Sequence, residues 1–342
     1  MKVMIPGFPH RVGVHCTSAA VRDVLEHLGV KLSEEMVFGL GCGLNFLYSK
    51  NEETGYHYVL GRGDDIEGDA GRYLGAEVRK FRDNDLDAAV VWMKRYVALG
   101  IPVIVNHEAS RLAYVARRYT ILDGVRYGGH RTVLAGYDDD RDELYLYDYG
   151  WAEPQTAGGA EFKAAMAADT RPSTHNLWIV IRAPREPVDL AAAIRDALRT
   201  NAWHMINPWI GHSGLRGLRR FTREVTGWPR LFSPDYHRLT CSMVYMMLEA
   251  GGTGGGNFRR MYGRFLKEAA AMTGIAALEG VGAQYHALAK LWSRLADLIR
   301  DGADGRGGLW ADLDEAGRLL GAISAGEAEA AERLGQAVGY EG

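Results

Sequence analysis

The sequence is poor in cysteine and contains no long apolar run. Its 342 residues include 3 Cys, an odd and small number that cannot form a disulfide framework. No uninterrupted apolar stretch reaches the roughly 20 residues that cross a bilayer. Pro6 and Gly7 also interrupt the N-terminus before the apolar core of a signal peptide can form. We therefore expect a cytoplasmic protein with reduced thiols and no membrane partner.

A strong net charge is also absent. The 40 Lys and Arg against 43 Asp and Glu give a formal charge of −3. This argues against a nucleic-acid partner, because proteins that bind nucleic acid concentrate basic residues. The motifs His-Glu-x-x-His and Cys-x-x-Cys are missing as well, so no metal site is expected. What the sequence does have is 47% hydrophobic residues, which is enough for a packed core.

Two domains are predicted from the length and from a change in composition. A domain usually takes roughly 100–200 residues, so 342 residues suggest two. Residues 1–183 mix helix and strand signals, and residues 184–189 place Pro184 and Pro187 among charged residues. Residues 190–342 have helical patterns almost throughout. We expect an α+β domain in which an early helix packs on an antiparallel sheet, a linker, and a mostly α-helical domain.

Cys16 is the candidate nucleophile. Apolar residues recur at helical spacing from Val21 to Leu28, and Gly29 ends the pattern, which places Cys16 at a helix N-terminus. A thiolate is stabilised there by the helix dipole, and the free backbone N–H groups can also hold an oxyanion. A buried packing role is the alternative, and it is the usual role of a single cysteine that has no partner.

His130 and Asp148 are the predicted partners of Cys16. Two β-rich runs, residues 130–137 and 143–149, flank an Asp-rich turn and predict a hairpin. Paired strands can bring His130, at the start of one run, beside Asp148, near the end of the other. A nucleophilic thiol needs a base to take its proton, and the base needs a group that orients it. Cys16, His130 and Asp148 supply such a set.

The order of these residues resembles the papain-like cysteine peptidase fold. More narrowly, His15-Cys16-x-Ser18 and Gly128-Gly129-His130, with the hairpin to Asp148, resemble the N-terminal domain of the butirosin biosynthesis protein H family. The glycine-rich segment that runs into Phe258-Arg259 is similar to the uncharacterised domain that follows in that family. The resemblance therefore covers nearly the whole chain.

The resemblance implies a thiol-dependent acyltransferase. Cys16 would accept an acyl group from an acyl-carrier-protein thioester or another acyl thioester donor, His130 would be the base, and Asp148 would orient it. An amine acceptor of small size would then receive the acyl group as an amide. No cofactor is implied, because the thioester supplies the driving force and its phosphopantetheine arm belongs to the substrate.

One position departs from the pattern of related peptidases. Those enzymes have a Gln six residues before the nucleophile, where its side chain helps to form the oxyanion hole, and this chain has His10 there. An imidazole N–H could donate the same hydrogen bond, or His10 could be an exposed loop residue. His15 is a further candidate, because it could lower the pKa of the adjacent thiol. Arg259 is the candidate for substrate contact in the helical domain.

A cluster of arginines follows the predicted linker. Residues 195–238 contain eight Arg, at positions 195, 199, 216, 219, 220, 223, 230 and 238, against three acidic residues. This excess suggests a docking surface for an acidic carrier protein, and the alternative is a solvated helix face with internal ion pairs. The glycine-rich turn at residues 251–256 could cradle a phosphate, but it lacks a P-loop motif, and a flexible turn is the alternative. Assembly into a homo-oligomer is compatible with the sequence.

Three functions are compatible with these sequence features. The first is an acyltransferase of specialised-metabolite (antibiotic) biosynthesis, in which the helical domain shapes the site for the acceptor or the carrier protein. The second is a cysteine hydrolase (peptidase, amidase or thioesterase) that uses the same triad. The third is a non-catalytic papain-like binding protein, which would be favoured if Cys16 and His130 lay far apart.

Overall fold

The structure is a computed structural model, and it describes residues 1–50, 57–118, 126–170, 173–208 and 210–340. The chain forms two compact units. The first consists of Met1–Glu34 and Gly75–Pro187, and the second of Glu35–Leu74 and Val188–Gly342.

The described residues form nine strands and thirteen α-helices. The strands are β1 (Lys2–Met4), β2 (Leu47–Lys50), β3 (His57–Leu60), β4 (Glu77–Arg82), β5 (Val103–His107), β6 (His130–Asp138), β7 (Glu143–Tyr147), β8 (Gln155–Gly158) and β9 (Leu177–Arg182). The helices are α1 (Cys16–His27), α2 (Glu34–Leu40), α3 (Ile66–Tyr73), α4 (Leu86–Ala98), α5 (Ala113–Arg118), α6 (Gly159–Met166), α7 (Leu190–Ile206), α8 (Gly214–Glu224), α9 (Trp228–Leu231), α10 (Pro234–Tyr245), α11 (Arg259–Thr273), α12 (Ala277–Ala303) and α13 (Leu313–Ala337).

A seven-stranded antiparallel sheet forms the centre of the first unit. Its strands follow the order β4-β9-β5-β6-β7-β8, and β1 pairs with the C-terminal end of β6. The predicted hairpin is present, because β6 turns into β7 with Tyr137 opposite Leu144. Helix α1 packs on β6 through the apolar face that the sequence pattern predicted. This arrangement confirms the α+β prediction of an early helix on an antiparallel sheet, and it brings the start of α1 to the start of β6.

The second unit is mostly helical, as predicted, and α12 is its central element. This helix of 27 residues packs against α10, α11 and α13. Its buried residues Tyr285, Trp292, Leu295 and Ile299 recur at spacings of three, four and seven, so they form one continuous apolar face. A face of this length needs several partner helices, which explains why the helices of this unit surround α12.

The observed division of the chain differs from the predicted one at residues 35–74. These residues belong to the helical unit rather than to the α+β unit. Phe38 stacks on Phe258 with ring centroids 5.5 Å apart, and Phe46 stacks on Trp292 at 5.4 Å. The Asn201 side chain also donates to Gly39 O at 3.0 Å. The sequence pattern around residue 40 shows apolar character but not the packing partner, which lies more than 150 residues away in the chain.

Candidate active site

Cys16 is the first residue of α1, and the residues around it fix this position. His15 has extended backbone angles (φ −125°, ψ 130°), and its Nδ1 accepts a hydrogen bond from Ser18 N at 3.3 Å. A side chain that caps in this way determines where a helix begins. The thiol is therefore held at a helix end whose first backbone N–H groups have no intrahelical acceptor. Only 8% of Cys16 is exposed.

Glu34 anchors the segment that leads to Cys16. Its carboxylate accepts hydrogen bonds from Val14 N at 2.9 Å, from His15 N at 2.7 Å and from Ser18 Oγ at 3.0 Å. Glu34 is buried, so these charge-assisted bonds lie in a low-dielectric environment where they are strong. No sequence motif points to Glu34, whose only local signal is its place at the start of α2.

The structure brings His130 and Asp148 together beside Cys16. His130 opens β6, and its Nε2 donates to Asp148 Oδ2 at 2.7 Å. Asp148 follows directly after the last residue of β7, and both side chains are buried. Cys16 Sγ lies 4.0 Å from the carbonyl oxygen of Gly129, the residue before His130, and the second ring nitrogen, Nδ1, is left for the thiol. The hairpin therefore places the imidazole beside a carboxylate, and the start of α1 brings the thiol close to the first residue of β6.

The charges of this cluster favour a thiolate and an imidazolium. Burial opposes ionisation of Cys16, but the interactions of the thiolate with the His15 and His130 rings outweigh it. The pKa of Cys16 therefore lies well below its usual value of 9.0. Burial also opposes the charged form of His130, but the Asp148 carboxylate and the Cys16 thiolate raise its pKa well above 6.5. Each group stabilises the charged form of the other.

Tyr114 is a member of this cluster that the sequence analysis missed. It lies in α5, and its hydroxyl donates to Asp148 Oδ2 at 3.0 Å. Burial and the neighbouring carboxylate raise the pKa of Tyr114 well above 10, so its hydroxyl stays protonated and keeps donating. No local motif indicates this contact, since Tyr114 lies 34 residues from Asp148.

His10 has a different role from either of those that the sequence suggested. Its Nδ1 donates to Asp23 Oδ2 at 2.7 Å, and its Nε2 donates to Trp151 O, also at 2.7 Å. Its side chain is only 3% exposed, so it is not an exposed loop residue. Burial works against its charged form, yet Asp23 and the Trp151 carbonyl raise its pKa. Both ring N–H groups are used within the protein, which leaves none for an oxyanion and corrects the prediction.

Asp23 connects His10 to a buried ion-pair network. The Arg22 guanidinium donates to Asp23 Oδ1 at 2.9 Å and to Glu34 Oε2 at 3.4 Å, and it also donates to the Arg11 carbonyl. The network therefore joins the two carboxylates that hold the segment before Cys16. His10 acts through Asp23 as part of this scaffold.

Arg259 is also used internally, which corrects its prediction as a substrate contact. Its Nε donates to Glu327 Oε1 at 2.7 Å, and its Nη2 donates to Glu327 Oε2 at 3.2 Å. Its Nη1 donates to three backbone carbonyls, those of Asn45, Gly61 and Asn257, at 2.6–3.0 Å. The side chain is fully buried. Arg259 therefore holds the core of the helical unit together and presents no donor to a ligand.

The other two cysteines lie in the second unit and are poor nucleophiles. Burial raises the pKa of Cys42 and that of Cys241 to about 12. His237 lies one helical turn before Cys241, with Nε2 3.6 Å from the sulfur. This imidazole does not offset the effect of burial on the pKa of Cys241.

In the described part of the chain, no helix has both the length and the apolar character needed to cross a membrane. Within the same residues, no three His, Cys, Asp or Glu side chains are grouped so that they could hold a metal ion.

Two family models match the sequence. Residues 15–149 match the model described as "Butirosin biosynthesis protein H, N-terminal", and residues 160–334 match "Domain of unknown function (DUF4872)". The order of the two models confirms the resemblance found in the sequence. No curated protein matches the chain. Among solved structures, the chain is similar to a crystal structure described as a C39-like peptidase from Bacillus anthracis, with 14% identity and a TM-score of 0.36. This match covers 53% of the present chain and 97% of the other.

Proposed function

We propose that this chain, which belongs to the family that joins the N-terminal domain of butirosin biosynthesis protein H to the domain of unknown function DUF4872, is a cysteine-dependent acyltransferase. One observation carries the proposal. A thiol at a helix N-terminus lies 4.0 Å from the carbonyl oxygen of the residue before His130, and a buried carboxylate orients that histidine at 2.7 Å. The family match supports a papain-like cysteine enzyme, and the acyl transfer is our inference from the chemistry of this cluster.

The first half of the reaction forms an acyl-enzyme. The Cys16 thiolate attacks the carbonyl carbon of an acyl thioester, and a new carbon–sulfur bond forms. The negative charge that develops on oxygen is held by backbone N–H groups at the start of α1, such as that of Cys16. The bond to the donor sulfur then breaks, and the leaving thiolate takes a proton from the His130 imidazolium. Acyl-Cys16 and a neutral His130 remain.

The second half transfers the acyl group to an amine. Neutral His130 accepts a proton from the amine nitrogen as that nitrogen attacks the acyl-Cys16 carbonyl. An amide bond forms, the bond to the Cys16 sulfur breaks, and the thiolate–imidazolium pair is restored. Asp148 keeps Nε2 of His130 protonated throughout, so that Nδ1 faces the reacting atoms. The reaction balances without a metal or nucleotide, because the thioester is the activated species.

The substrate classes follow from this chemistry. The donor is an acyl thioester, and a carrier protein that bears a phosphopantetheine arm is our preferred source. The acceptor is a small molecule with a free amine, in keeping with a step of specialised-metabolite biosynthesis. We place the reaction in the cytoplasm, where thiols remain reduced.

The test follows the fate of an acyl-enzyme by intact-protein mass spectrometry. Incubation with acyl-carrier-protein thioesters, or with acyl N-acetylcysteamine thioesters as simple donors, should add the mass of one acyl group. This adduct should be absent in Cys16→Ala and present in Cys241→Ala, the matched control for loss of a buried thiol. Full transfer activity in Cys16→Ala would refute the mechanism.

Discharge of the adduct separates transfer from hydrolysis by the same triad. With amines added, an acyltransferase should lose the adduct faster than in buffer alone, and an amide should appear. If water discharges the adduct as fast as any amine, the protein is a hydrolase.

A further inference from the structure

Three arginines line one groove of the helical unit and have no carboxylate partner. Arg219 and Arg223 belong to α8 and Arg230 belongs to α9, and all three are exposed. No Asp or Glu oxygen of the described residues lies within 4.0 Å of their guanidinium groups. By contrast, Arg220 and Arg238 pair with Glu224 and Asp235. The arginine cluster of the sequence therefore contains both paired and unpaired residues, and three of those without a carboxylate partner line this groove.

The groove is formed by two helix faces and has a definite size. Along α8 and the turn after it, Arg219, Thr222, Arg223 and Thr226 recur at i, i+3, i+4 and i+7, which is one face of a helix. The opposite wall is one face of α13, from Leu313 to Ser324. The volume between them is about 640 Å³. Of the described residues that line it, none is acidic, so the groove is positively charged.

Two glycines keep the α13 wall open although packing does not require them. Gly317 and Gly321 line the groove within the helix. Apart from the neighbouring residues and backbone of α13 itself, a Cβ on either would meet no atom of the described chain within 4 Å. Glycine inside a helix stabilises the helix less than alanine does. Gly317 and Gly321 therefore lower the stability of the unliganded protein. A ligand that fills this space explains why glycine stands at both positions.

We propose that this groove is a binding site for an organic phosphate. The phosphate accepts hydrogen bonds from Arg219, Arg223 and Arg230, whose planar forks match its oxygens. The apolar part of the ligand lies over Leu313 and Leu320 and in the space above the glycines. A phosphate carried on a carrier protein and one on a free metabolite have the same chemistry at this site.

The glycine-rich turn at residues 251–256, the phosphate site suggested by the sequence, is already occupied. Gly256 N donates to the Glu249 carboxylate at 2.7 Å, and Gly255 N donates to Thr253 Oγ1 at 3.0 Å. A side-chain carboxylate therefore holds the place that an anion would take. The arginine groove has no such internal occupant among its described lining residues.

The test is made on Cys16→Ala, so that binding is measured without chemistry and can fail or succeed independently of the proposed acyl transfer. At constant ionic strength, inorganic phosphate should raise Tm by mass action. The rise should be lost in Arg219→Gln/Arg223→Gln. It should persist in Arg216→Gln/Arg318→Gln, which removes the same charge from exposed positions of α8 and α13 outside the groove. No rise, or equal loss in both variants, would overturn the site.

The ligand class is tested with phosphopantetheine, a probe whose choice rests on the proposed function, and with pantetheine. By calorimetry, phosphopantetheine should bind at least about tenfold more tightly than either pantetheine or inorganic phosphate, since both halves contribute. Gly321→Ala should raise Tm without ligand and weaken phosphopantetheine binding. If inorganic phosphate binds as well as phosphopantetheine, or if Gly321→Ala leaves its affinity unchanged, the groove is not a site for an organic phosphate. Binding of a carrier protein is then measured with and without its phosphopantetheine arm. This comparison distinguishes a phosphate carried on a protein from one on a free metabolite.

Discussion

Replacement of Arg259 by methionine tests whether this residue stabilises the fold or contacts a substrate. The change leaves the Glu327 carboxylate fully buried without its ion-pair partner, and the three carbonyls that faced Nη1 lose a donor. Removal of one member of a buried ion pair costs about 3–5 kcal/mol, and each lost hydrogen bond adds up to ~1 kcal/mol. We therefore expect a loss of at least about 3 kcal/mol in the free energy of unfolding.

Urea denaturation followed by tryptophan fluorescence measures this loss. Trp292 is a natural reporter, because its Nε1 donates to Glu327 Oε1 at 2.7 Å. The control is the double variant Arg259→Met/Glu327→Met, which removes both charges. It should be more stable than Arg259→Met alone, since no charge is left uncompensated. An unchanged urea midpoint for Arg259→Met together with lost activity would refute the structural role and restore Arg259 as a substrate contact.

Two further predictions concern the thiol and its histidine. Alkylation of Cys16 by iodoacetamide should remain fast well below pH 9.0, the usual pKa of a thiol, because the thiolate persists down to the lowered pKa of Cys16. A tenfold fall in rate for each pH unit below 9, as for an ordinary thiol, would contradict this. Asp148→Asn should lower kcat by roughly 10²–10⁴-fold, because the imidazole loses the group that orients it. Since His130 also loses the carboxylate that raises its pKa, the alkaline limb of the pH profile should move to lower pH in this variant. A kcat within about twofold of the parent would show that Asp148 does not act on His130.

The sequence contained enough information to place Cys16, because helix starts depend on local signals. The apolar spacing from Val21 to Leu28 and the closing Gly29 indicated a helix that begins at or just after the cysteine, and in the structure it begins at Cys16. The hairpin from His130 to the region of Asp148 was equally local, since alternating β-rich runs around an Asp-rich turn indicate it without knowledge of the rest of the chain. Once both elements were identified, the papain-like resemblance supplied their relation.

The roles of His10 and Arg259 could not be derived in this way. Each has the chemistry of a binding residue, but whether it binds depends on which donors remain free. The partners that occupy those donors lie far away in the chain: Trp151 is 141 residues from His10, and Glu327 is 68 residues from Arg259. A sequence pattern shows that a residue has donors, but not which acceptors lie beside them after folding.

By itself, the sequence determined the elements of the site, the α+β and helical classes of the two halves, and the family to which they belong. These follow from periodicity, turn residues and motif order, which act over short stretches of chain. Only the tertiary structure decided that residues 35–74 pack with the helical unit, that Tyr114 and Glu34 support the thiol cluster, and that three arginines line one groove. These outcomes depend on long-range packing, which brings residues together without any pattern that joins them along the chain.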